Sequence, residues 1–311
     1  MTLFHNNPDA LLDVLIIGGG PAGMSAALVL GRARRSVLVI DEALPRHRVT
    51  KESHGFLTRD GVSPSELRRV AREQIAAYPT VSFVQTAAVE ASGEDGNFNV
   101  TTTEGKVYRG RKLLFAAGMK DLPMEIDGLK EVYGSSAFVC PYCDGWEMQD
   151  RALAIIAGGE FALHLTKTVS GWSSDLALFT NGFSDWEEGV KESIEQRGIP
   201  VYESPIRRIE STRGKVRSIV LEDGTEVERT GIFFAPRLAP GTDLPKAMGC
   251  ETEENGSMIV DEFKKSNIPG IYGAGDGASR MYQVAASVAA GSIAAAMMNS
   301  ELLESEWQER G

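Results

Sequence analysis

Two cysteines and the acid that follows them form the clearest chemical pattern in this chain of 311 residues. Cys140 and Cys143 stand in C-x-x-C spacing, and Asp144 comes directly after them. A pair with this spacing is either a redox couple or half of a metal site. Where such a turn begins a helix, one thiol has a lowered pKa and the other can resolve a mixed disulfide within the same turn.

The metal alternative lacks ligands. A zinc site would need two further side chains, and the remaining candidates are Cys250 and the scattered histidines His5, His47, His54 and His164. We therefore expect no metal site. Cys250 stands alone, and we expect a small buried apolar residue there.

A glycine turn near the start of the chain indicates a nucleotide. Gly18, Gly20 and Gly23 form G-x-G-x-x-G between the apolar run 14–17 and a stretch of helical composition. Gly18 suits a tight turn, Gly20 lets the backbone approach a pyrophosphate, and Gly23 lets the helix pack on the strand. The N-terminus of that helix offers unpaired N–H groups to the phosphates. Asp41 ends the next apolar run, about 20 residues past the turn, where an acid takes a ribose hydroxyl.

The middle of the chain repeats this order of elements more weakly. A strand at 153–156, a glycine turn at 157–162 and a second strand at 176–179 lie between two connectors that contain proline and glycine. Such connectors are typical domain boundaries. We predict an α/β fold of two Rossmann-like three-layer domains, with a second domain inserted into a discontinuous first one. The first domain takes 1–118 and 240–311, and the inserted domain, 119–239, carries the cysteine pair.

Further elements follow from capping and periodicity. We expect a helix over 63–77 with Ser63 as its cap, because Glu66 completes capping-box spacing. Apolar runs predict strands at 258–260 and 270–272. Small residues predict a long helix from about 282 to 298.

Composition excludes several partners. The net charge is −11, so no basic face for nucleic acid is expected. The chain begins without a basic segment followed by an apolar core, and no apolar run reaches the length of a membrane span. We expect a cytoplasmic protein that neither enters nor binds a membrane. The acidic stretches around Glu187 and Glu301 are interpreted as solvated faces.

Three motifs in order give the chain a family resemblance. GGGPAG at 18–23, CPYCD at 140–144 and GAGD at 273–276 resemble the low-molecular-weight thioredoxin reductases and their flavin-dependent dithiol oxidase relatives of the gliotoxin and holomycin type. The resemblance runs from Asp13 to about Asn299. It implies FAD bound by the first and third motifs, a redox disulfide in the second, and a homodimer. The implied substrate is a thioredoxin-like protein or a small dithiol or disulfide.

The resemblance also assigns residues. Cys143 would face the flavin, Cys140 would exchange with the substrate sulfur, and Asp144 would give and take protons. Thr50 and His54, in the loop after Asp41, would touch the flavin or belong to a satisfied polar loop. The residues implied in FAD binding, besides those two, are Gly18, Gly20, Pro21, Ala22, Gly23, Asp41, Ala117, Gly118, Gly275, Asp276, Gln283 and Val284.

The second glycine turn departs from the family pattern. Reductases of this family have G-x-G-x-x-A there, and a basic cluster follows that grips the 2′-phosphate of NADPH. This chain has Ala157, Gly159 and Ala162 in the three places, and no Arg or Lys over 178–189. Asp185, Glu187 and Glu188 would repel a phosphate. The use of NADPH therefore stays open.

Three functions remain open on the sequence alone. One is a reductase that draws on NADPH or another donor, and the second is an oxidase that closes disulfides and gives the electrons to oxygen. The third is a non-catalytic FAD-binding redox sensor. CPYC also occurs in glutaredoxins, but there it follows the first strand of a small fold. Trp146, beside the pair, could shape the substrate mouth or serve domain packing.

Overall fold

The computed structural model describes residues 10–122, 124–183 and 189–310. The strands are β1 Leu11–Ile17, β2 Val37–Ile40, β3 Val81–Val84, β4 Ala88–Glu94, β5 Asn97–Thr102, β6 Val107–Phe115, β7 Met119–Leu122, β8 Ala137–Phe138, β9 Leu153–Ile156, β10 Leu176–Phe179, β11 Val201–Tyr202, β12 Ile206–Thr212, β13 Lys215–Leu221, β14 Glu226–Glu228, β15 Gly231–Phe234, β16 Arg237–Pro240 and β17 Ile271–Gly273. The helices are α1 Pro21–Arg32, α2 Pro64–Ile75, α3 Leu129–Val132, α4 Pro141–Asp144, α5 Gly159–Val169, α6 Val190–Glu195, α7 Leu244–Ala247 and α8 Val284–Glu309, with short 3₁₀ turns at Arg46–Val49 and Asp276–Ala278.

The first sheet has the order β3-β2-β1-β6-β5-β4, and β17 pairs with β6. β1, β2, β3 and β17 run parallel to their neighbours, whereas β4, β5 and β6 form an antiparallel meander. Because strand side chains alternate, Val14 and Ile16 pack under α1 and α8, while Leu15 and Ile17 belong to a second core on the other face. This sheet therefore has both faces covered.

The second sheet is parallel throughout, in the order β11-β10-β9-β15-β8. Leu153 and Ile155 pack toward α5, whereas Ala154 and Ile156 pack toward the antiparallel sheet β12-β13-β14. The sheet thus lies between a helical layer and a hairpin layer. The predicted α/β class is confirmed, and the helix at 63–77 is confirmed as α2, with Ser63 Oγ accepting a hydrogen bond from the Glu66 N–H at 3.2 Å.

The predicted internal repeat shows in the main chain. The N–H of Gly18 donates to Ile40 O at 2.8 Å, and the N–H of Ala157 donates to Phe179 O at 3.2 Å. One residue after the second strand of each unit, the backbone N–H of Asp41 donates to Val84 O at 3.1 Å and that of Thr180 donates to Tyr202 O at 2.9 Å. Thr180 therefore occupies the place in the second unit that Asp41 has in the first.

The two predicted domain boundaries lie side by side. β7 and β16 pair antiparallel, with Met119 opposite Pro240 and Leu122 opposite Arg237. The chain thus enters and leaves the second sheet through one small two-stranded ribbon. The division into 1–118 with 240–311 and 119–239 stays a prediction that agrees with this ribbon.

One predicted strand is wrong, and one predicted helix is too short. Residues 258–260 form no strand, because Met258 makes an isolated bridge to Thr252 only. α8 continues to Glu309, well past the predicted end at residue 298. None of the helices in the described part of the chain is long and apolar enough to cross a membrane.

Ion pairs explain the extra turns of α8. The carboxylate of Glu301 accepts hydrogen bonds from Lys112 Nζ at 2.7 Å and from Lys265 Nζ at 2.6 Å. The side chain of Lys112 is only 8% exposed. Burial alone would raise the pKa of Glu301, but the bonds from Lys112 and Lys265 outweigh it and lower that pKa to about 2. The interpretation as a solvated face is therefore wrong for Glu301 itself, whereas Glu304 in the same stretch is exposed. Glu187 lies outside the described residues.

Candidate active site

The cysteine pair lies at the start of α4. Cys140 is the residue before the helix, Pro141 is its first residue, and the N–H groups of Cys143 and Asp144 donate to Cys140 O at 3.1 and 3.2 Å. Cys140 and Cys143 are joined by a disulfide, with Cα atoms 5.3 Å apart. Both thiols therefore belong to one tight turn, as the spacing predicts. Cys250 is a buried free cysteine, as expected.

Asp144 has an environment suited to proton transfer near neutral pH. Burial, opposed by the charge of His54 and aided by that of Glu147, raises the pKa of its carboxyl to about 7. A carboxyl with such a pKa can both give and take a proton at pH 7. The structure thus adds a physical reason for the role that the resemblance implies.

His54 lies against the cysteine turn. Its Nδ1 is 3.0 Å from Cys143 O, and its Nε2 is 3.5 Å from carboxylate oxygens of both Glu52 and Glu147. The loop after β2 therefore reaches the redox turn. The predicted contact of His54 with the flavin stays a prediction. Thr50 ends the 3₁₀ turn, since its Oγ1 donates to His47 O at 3.0 Å.

The first glycine turn has the shape that a pyrophosphate needs. Gly18 has a φ of +104°, and a Cβ there would meet Ala116 O at 2.3 Å. A Cβ on Gly23 would meet Gly18 O at 1.9 Å, so the close packing of helix on turn requires glycine. A Cβ on Gly20 would meet nothing within 4 Å. The turn is tightly packed at Gly18 and Gly23 and leaves free space at Gly20, at the N-terminus of α1, whose first residue is Pro21. The residues therefore fit the pyrophosphate of FAD.

Residues from the other end of the chain complete this cradle. Gly275 has a φ of +82°, and a Cβ on it would lie 3.0 Å from Ala22 Cβ. Ser287 Oγ donates to Asp276 Oδ1 at 3.2 Å. Burial raises the pKa of Asp276, and Arg46, 3.7 Å away, opposes this. Gln283 and Val284 are the residue before α8 and its first residue.

The last part of the cradle is the segment after β6. Gly118 has a φ of +67°, and a Cβ on it would meet nothing within 4 Å. Gly241 N–H donates to Gly118 O at 2.8 Å, and a Cβ on Gly241 would collide with Ala117 O. The structure therefore brings Ala117 and Gly118 beside the third motif, where a Cβ on Gly277 would lie 3.0 Å from Gly118 O.

Asp41 has protein partners that the sequence did not suggest. The N–H of Gly19 donates to Asp41 Oδ1 at 3.0 Å, and Arg68 Nη2 donates to Asp41 Oδ2. Arg68 Nη1 also donates to Gly19 O at 3.2 Å. Arg68, on α2, thus holds the acid against the glycine turn. The ribose contact of Asp41 stays a prediction.

Arg46 is a second residue that sequence reasoning missed. Its Nε donates to both carboxylate oxygens of Asp121 at 3.0 Å, and Tyr133 Oη donates to Asp121 Oδ2 at 2.6 Å. The guanidinium also lies over the ring of Tyr282, 5.2 Å from its centroid. Arg46 therefore links the loop after β2 to the ribbon strand β7 and to the segment before α8. Its partners are distant in sequence, so no local signal could have identified it.

The second glycine turn differs from the first. Ala157 lies outside the left-handed region, and Gly159 takes the positive φ, +60°. A Cβ on Gly158 would lie 2.5 Å from Phe183 Cβ, whereas one on Gly19 would meet the carboxyl of Asp41. An aromatic ring therefore covers the turn where the first unit has an acid. Asp185, Glu187 and Glu188, which we expected to repel a phosphate, lie outside the described residues.

Two aromatic side chains beside the disulfide face solvent. Trp146 is 69% exposed and Tyr142 is 70% exposed. The ring of Tyr142 meets Trp172 edge-on, with centroids 5.5 Å apart. Trp146 therefore does not serve domain packing, and its part in a substrate mouth stays a prediction.

Comparisons with known proteins agree with this geometry. The thioredoxin reductase aclD of Aspergillus oryzae is 30% identical over 304 residues, which cover 94% of this chain and 96% of that protein. Crystal structures of an oxidoreductase from Agrobacterium tumefaciens and of HlmI superpose with TM-scores of 0.88 and 0.91, at 35% and 30% identity. They cover 94% and 97% of this chain, and 99% and 96% of their own.

The family model for pyridine nucleotide-disulphide oxidoreductases matches residues 12–291. That range includes the first glycine turn, the disulfide turn and the segment around Asp276. The chain belongs to the pyridine nucleotide-disulphide oxidoreductase family, as an FAD-dependent disulfide oxidoreductase of the thioredoxin reductase-like type.

Proposed function

We propose that this enzyme passes electron pairs between FAD and a dithiol or disulfide through Cys140 and Cys143. The observation that carries the proposal is the disulfide at the start of α4 with Asp144 beside it, its pKa raised by burial to about 7. Bound FAD would accept or donate the electron pair. Gly18, Gly20 and Gly23 would hold its pyrophosphate, and Asp276 would accept from a hydroxyl group.

In the oxidising direction the protein's own residues would act in two exchange steps. A substrate sulfur bonds to Cys140 Sγ, the bond between the two cysteines breaks, and its electron pair leaves with Cys143 as thiolate. The second substrate sulfur then displaces Cys140, which closes the substrate disulfide. Asp144 takes up a proton that the dithiol releases. The reducing direction is the reverse sequence.

A second candidate is an oxygen-dependent dithiol oxidase. It is supported by the second glycine turn, where Phe183 covers Gly158 and Ala157 replaces a glycine. Because the turn is covered and residues 178–189 contain no Arg or Lys, NADPH has fewer groups to bind its phosphates. On this proposal the reduced flavin passes its electrons to oxygen, and no nicotinamide takes part.

An anaerobic titration tests both candidates. Dithiothreitol should bleach the flavin absorbance of the holoprotein, since it reduces the disulfide first. NADPH and NADH should bleach it slowly or not at all, and admitted oxygen should restore the colour. Rapid bleaching at micromolar NADPH would favour an NADPH-dependent reductase over the oxidase. Failure of dithiothreitol to bleach the flavin would count against both candidates.

We also propose a thioredoxin-like protein or a small dithiol as substrate, a cytoplasmic location and a homodimer. The free buried Cys250 supports a reducing compartment. The dimer is supported by apolar side chains on the outer face of α8, where Ile293, Leu303 and Trp307 are exposed. Turnover of a thioredoxin and of dithiothreitol, compared at equal concentration, would separate the two substrate classes. Fractionation of cells that express the chain would test the location.

A further inference from the structure

The imidazole of His54 is oriented by the backbone carbonyl of Cys143, which can only accept a hydrogen bond. Its Nδ1 lies 3.0 Å from Cys143 O. A carbonyl oxygen has no hydrogen, so Nδ1 carries the proton and donates it. Nε2 then points to the other side, where Glu52 Oε2 and Glu147 Oε1 are each 3.5 Å away. A proton on Nε2 would lie between these two carboxylates.

The loop holds this ring in place. Ser53 N–H donates to Val62 O at 2.9 Å, and Gly61 N–H donates to Ser53 O at 3.0 Å. On the other side of His54, the N–H of Gly55 donates to Asp60 Oδ1 at 2.8 Å. The side chain of His54 is only 17% exposed. Hydrogen bonds on both sides therefore hold the main chain at His54, and the contact of Nδ1 with Cys143 O orients the ring.

The electrostatic effect of His54 acts on the carboxyl of Asp144. Burial raises the pKa of the carboxyl, the charge of His54 lowers it, and the charge of Glu147 raises it. The charged form of His54 thus opposes burial and the second acid, which both favour the neutral carboxyl. Without that charge, Asp144 would hold its proton to higher pH.

We propose that His54 is a positioning residue that favours the ionised form of Asp144, so that Asp144 can take up the proton of an incoming thiol. The inference rests on the proposed function. In the step concerned, the proton moves from the substrate thiol to an Asp144 oxygen, the substrate sulfur bonds to Cys140, and Cys143 leaves with the electron pair. The imidazole transfers no proton in this step, and its Nδ1–H donates to the carbonyl of Cys143.

Two substitutions separate charge from hydrogen bonding. His54→Asn keeps an N–H donor for Cys143 O and loses the charge, whereas His54→Ala loses both. His164→Asn, on the exposed face of α5, is the matched control. Each holoprotein is reduced anaerobically by dithiothreitol at a series of pH values around 7, and free thiols are trapped with N-ethylmaleimide and counted by mass spectrometry. The ratio of each variant's rate to the wild-type rate removes the titration of dithiothreitol itself.

Both His54 variants should be slowed by about threefold near and below neutral pH and should approach the wild-type rate at alkaline pH, which corresponds to a shift of about half a pH unit. His164→Asn should follow the wild type. A ratio that is independent of pH, or a wild-type profile in His54→Asn, would overturn the inference and leave His54 a packing or hydrogen-bonding role only.

An infrared titration makes the test independent of turnover. The carboxylic-acid band of Asp144, identified by its loss in Asp144→Asn, should persist to higher pH in both His54 variants than in the wild type. An unmoved band refutes the inference even where turnover changes. If the wild-type disulfide resists dithiothreitol at every pH, the proposed function fails, and the infrared band still decides the part of His54.

Discussion

At the scale of residues, sequence motifs predicted the main site residues, and the structure shows which side chains surround them. The glycines of the first turn, the cysteine pair and Asp276 could be predicted because their spacing along the chain is itself the signal. His54, Arg46 and Arg68 acquire their contacts from segments far away in sequence. Arg68 binds Asp41 across a gap of 27 residues, and His54 meets Cys143 across 89. Such partners have no fixed spacing, so only the fold reveals them.

The two cysteines are predicted to have unequal roles. In the Cys140→Ser holoprotein, the freed Cys143 thiolate would lie beside the flavin and should give a long-wavelength absorption shoulder at neutral pH. Cys143→Ser should lack the shoulder and trap a mixed disulfide through Cys140, because the resolving thiol is gone. Cys250→Ser, which alters a buried free thiol, is the control and should match the wild type. Identical spectra for the first two variants would contradict the assignment.

Gly20 offers a test of the cofactor cradle that spares the fold. Its φ is −77° and a Cβ on it meets no protein atom within 4 Å, so the protein has room for a side chain to begin there. The valine would fill the space that the pyrophosphate needs. We expect Gly20→Val to be folded, by circular dichroism, but colourless, with Gly20→Ala between it and the wild type. Full FAD occupancy in Gly20→Val would place the pyrophosphate elsewhere.

At the scale of elements, periodicity and capping located the helices and strands better than they located their ends. The cap at Ser63 could be predicted because the bond to Glu66 is local. The end of α8 could not, because Glu301 and Glu306 are held by Lys112 and Arg111, which the fold alone brings near. Residues 258–260 have the composition of a strand but only one bridge partner, at Thr252. An apolar run predicts that its side chains are buried, but a strand also needs a neighbouring strand to which it can hydrogen-bond.

The Glu301 cluster, formed by Glu301 with Lys112 and Lys265, predicts a pH-dependent stability. The carboxyl of Glu301 has a pKa lowered from 4.5 to about 2, so its contribution is complete above about pH 4.5 and is lost as the pH falls toward 2. Glu301→Gln should reduce the free energy of unfolding by about 1–3 kcal/mol at neutral pH. The difference from wild type should shrink as the pH falls through this range.

The control for this prediction lies about one turn further along α8. Glu304 is exposed and accepts from Gln308 Nε2 at 2.8 Å. Glu304→Gln should change the unfolding free energy by less than about 0.5 kcal/mol. Urea unfolding of the three proteins at several pH values measures both effects. A loss in Glu301→Gln that persists unchanged at the lowest pH would show that the carboxylate charge is not its source.

At the scale of the whole molecule, the βαβ unit occurs twice, with different residues at the glycine turn and at the end of the second strand. Gly18 and Asp41 in the first unit correspond to Ala157 and Thr180 in the second, and the main-chain bonds match. The repeat could be predicted from the alternation of apolar runs and glycine turns. The covering of Gly158 by Phe183 could not, because nothing in the spacing of the two residues shows that the ring turns back over the glycine.

The outer face of α8 predicts how two copies would associate. Leu303 and Trp307 are 53% and 78% exposed on that face. If it is buried between two copies, Leu303→Glu should convert a dimer to a monomer in sedimentation velocity, because a buried unpaired carboxylate is costly. Leu44→Glu, an exposed leucine in the loop after β2, should leave the dimer intact. A monomeric wild type, or a dimer in Leu303→Glu, would refute the arrangement.

The contact between α1 and α8 has a consequence for the order in which the protein is made. A Cβ on Gly291 would lie 2.0 Å from Ala22 O, and Ser25 Oγ donates to Val288 O at 2.7 Å. The helix that opens the first glycine turn is thus braced by the last helix of the chain, and Gly275 and Asp276 belong to the same late segment. A ribosome must therefore synthesise the chain through about residue 291 before the first motif is complete. Until then the apolar face of α1 lacks its cover, so the nascent chain depends on slow, long-range closure of the kind that chaperones protect.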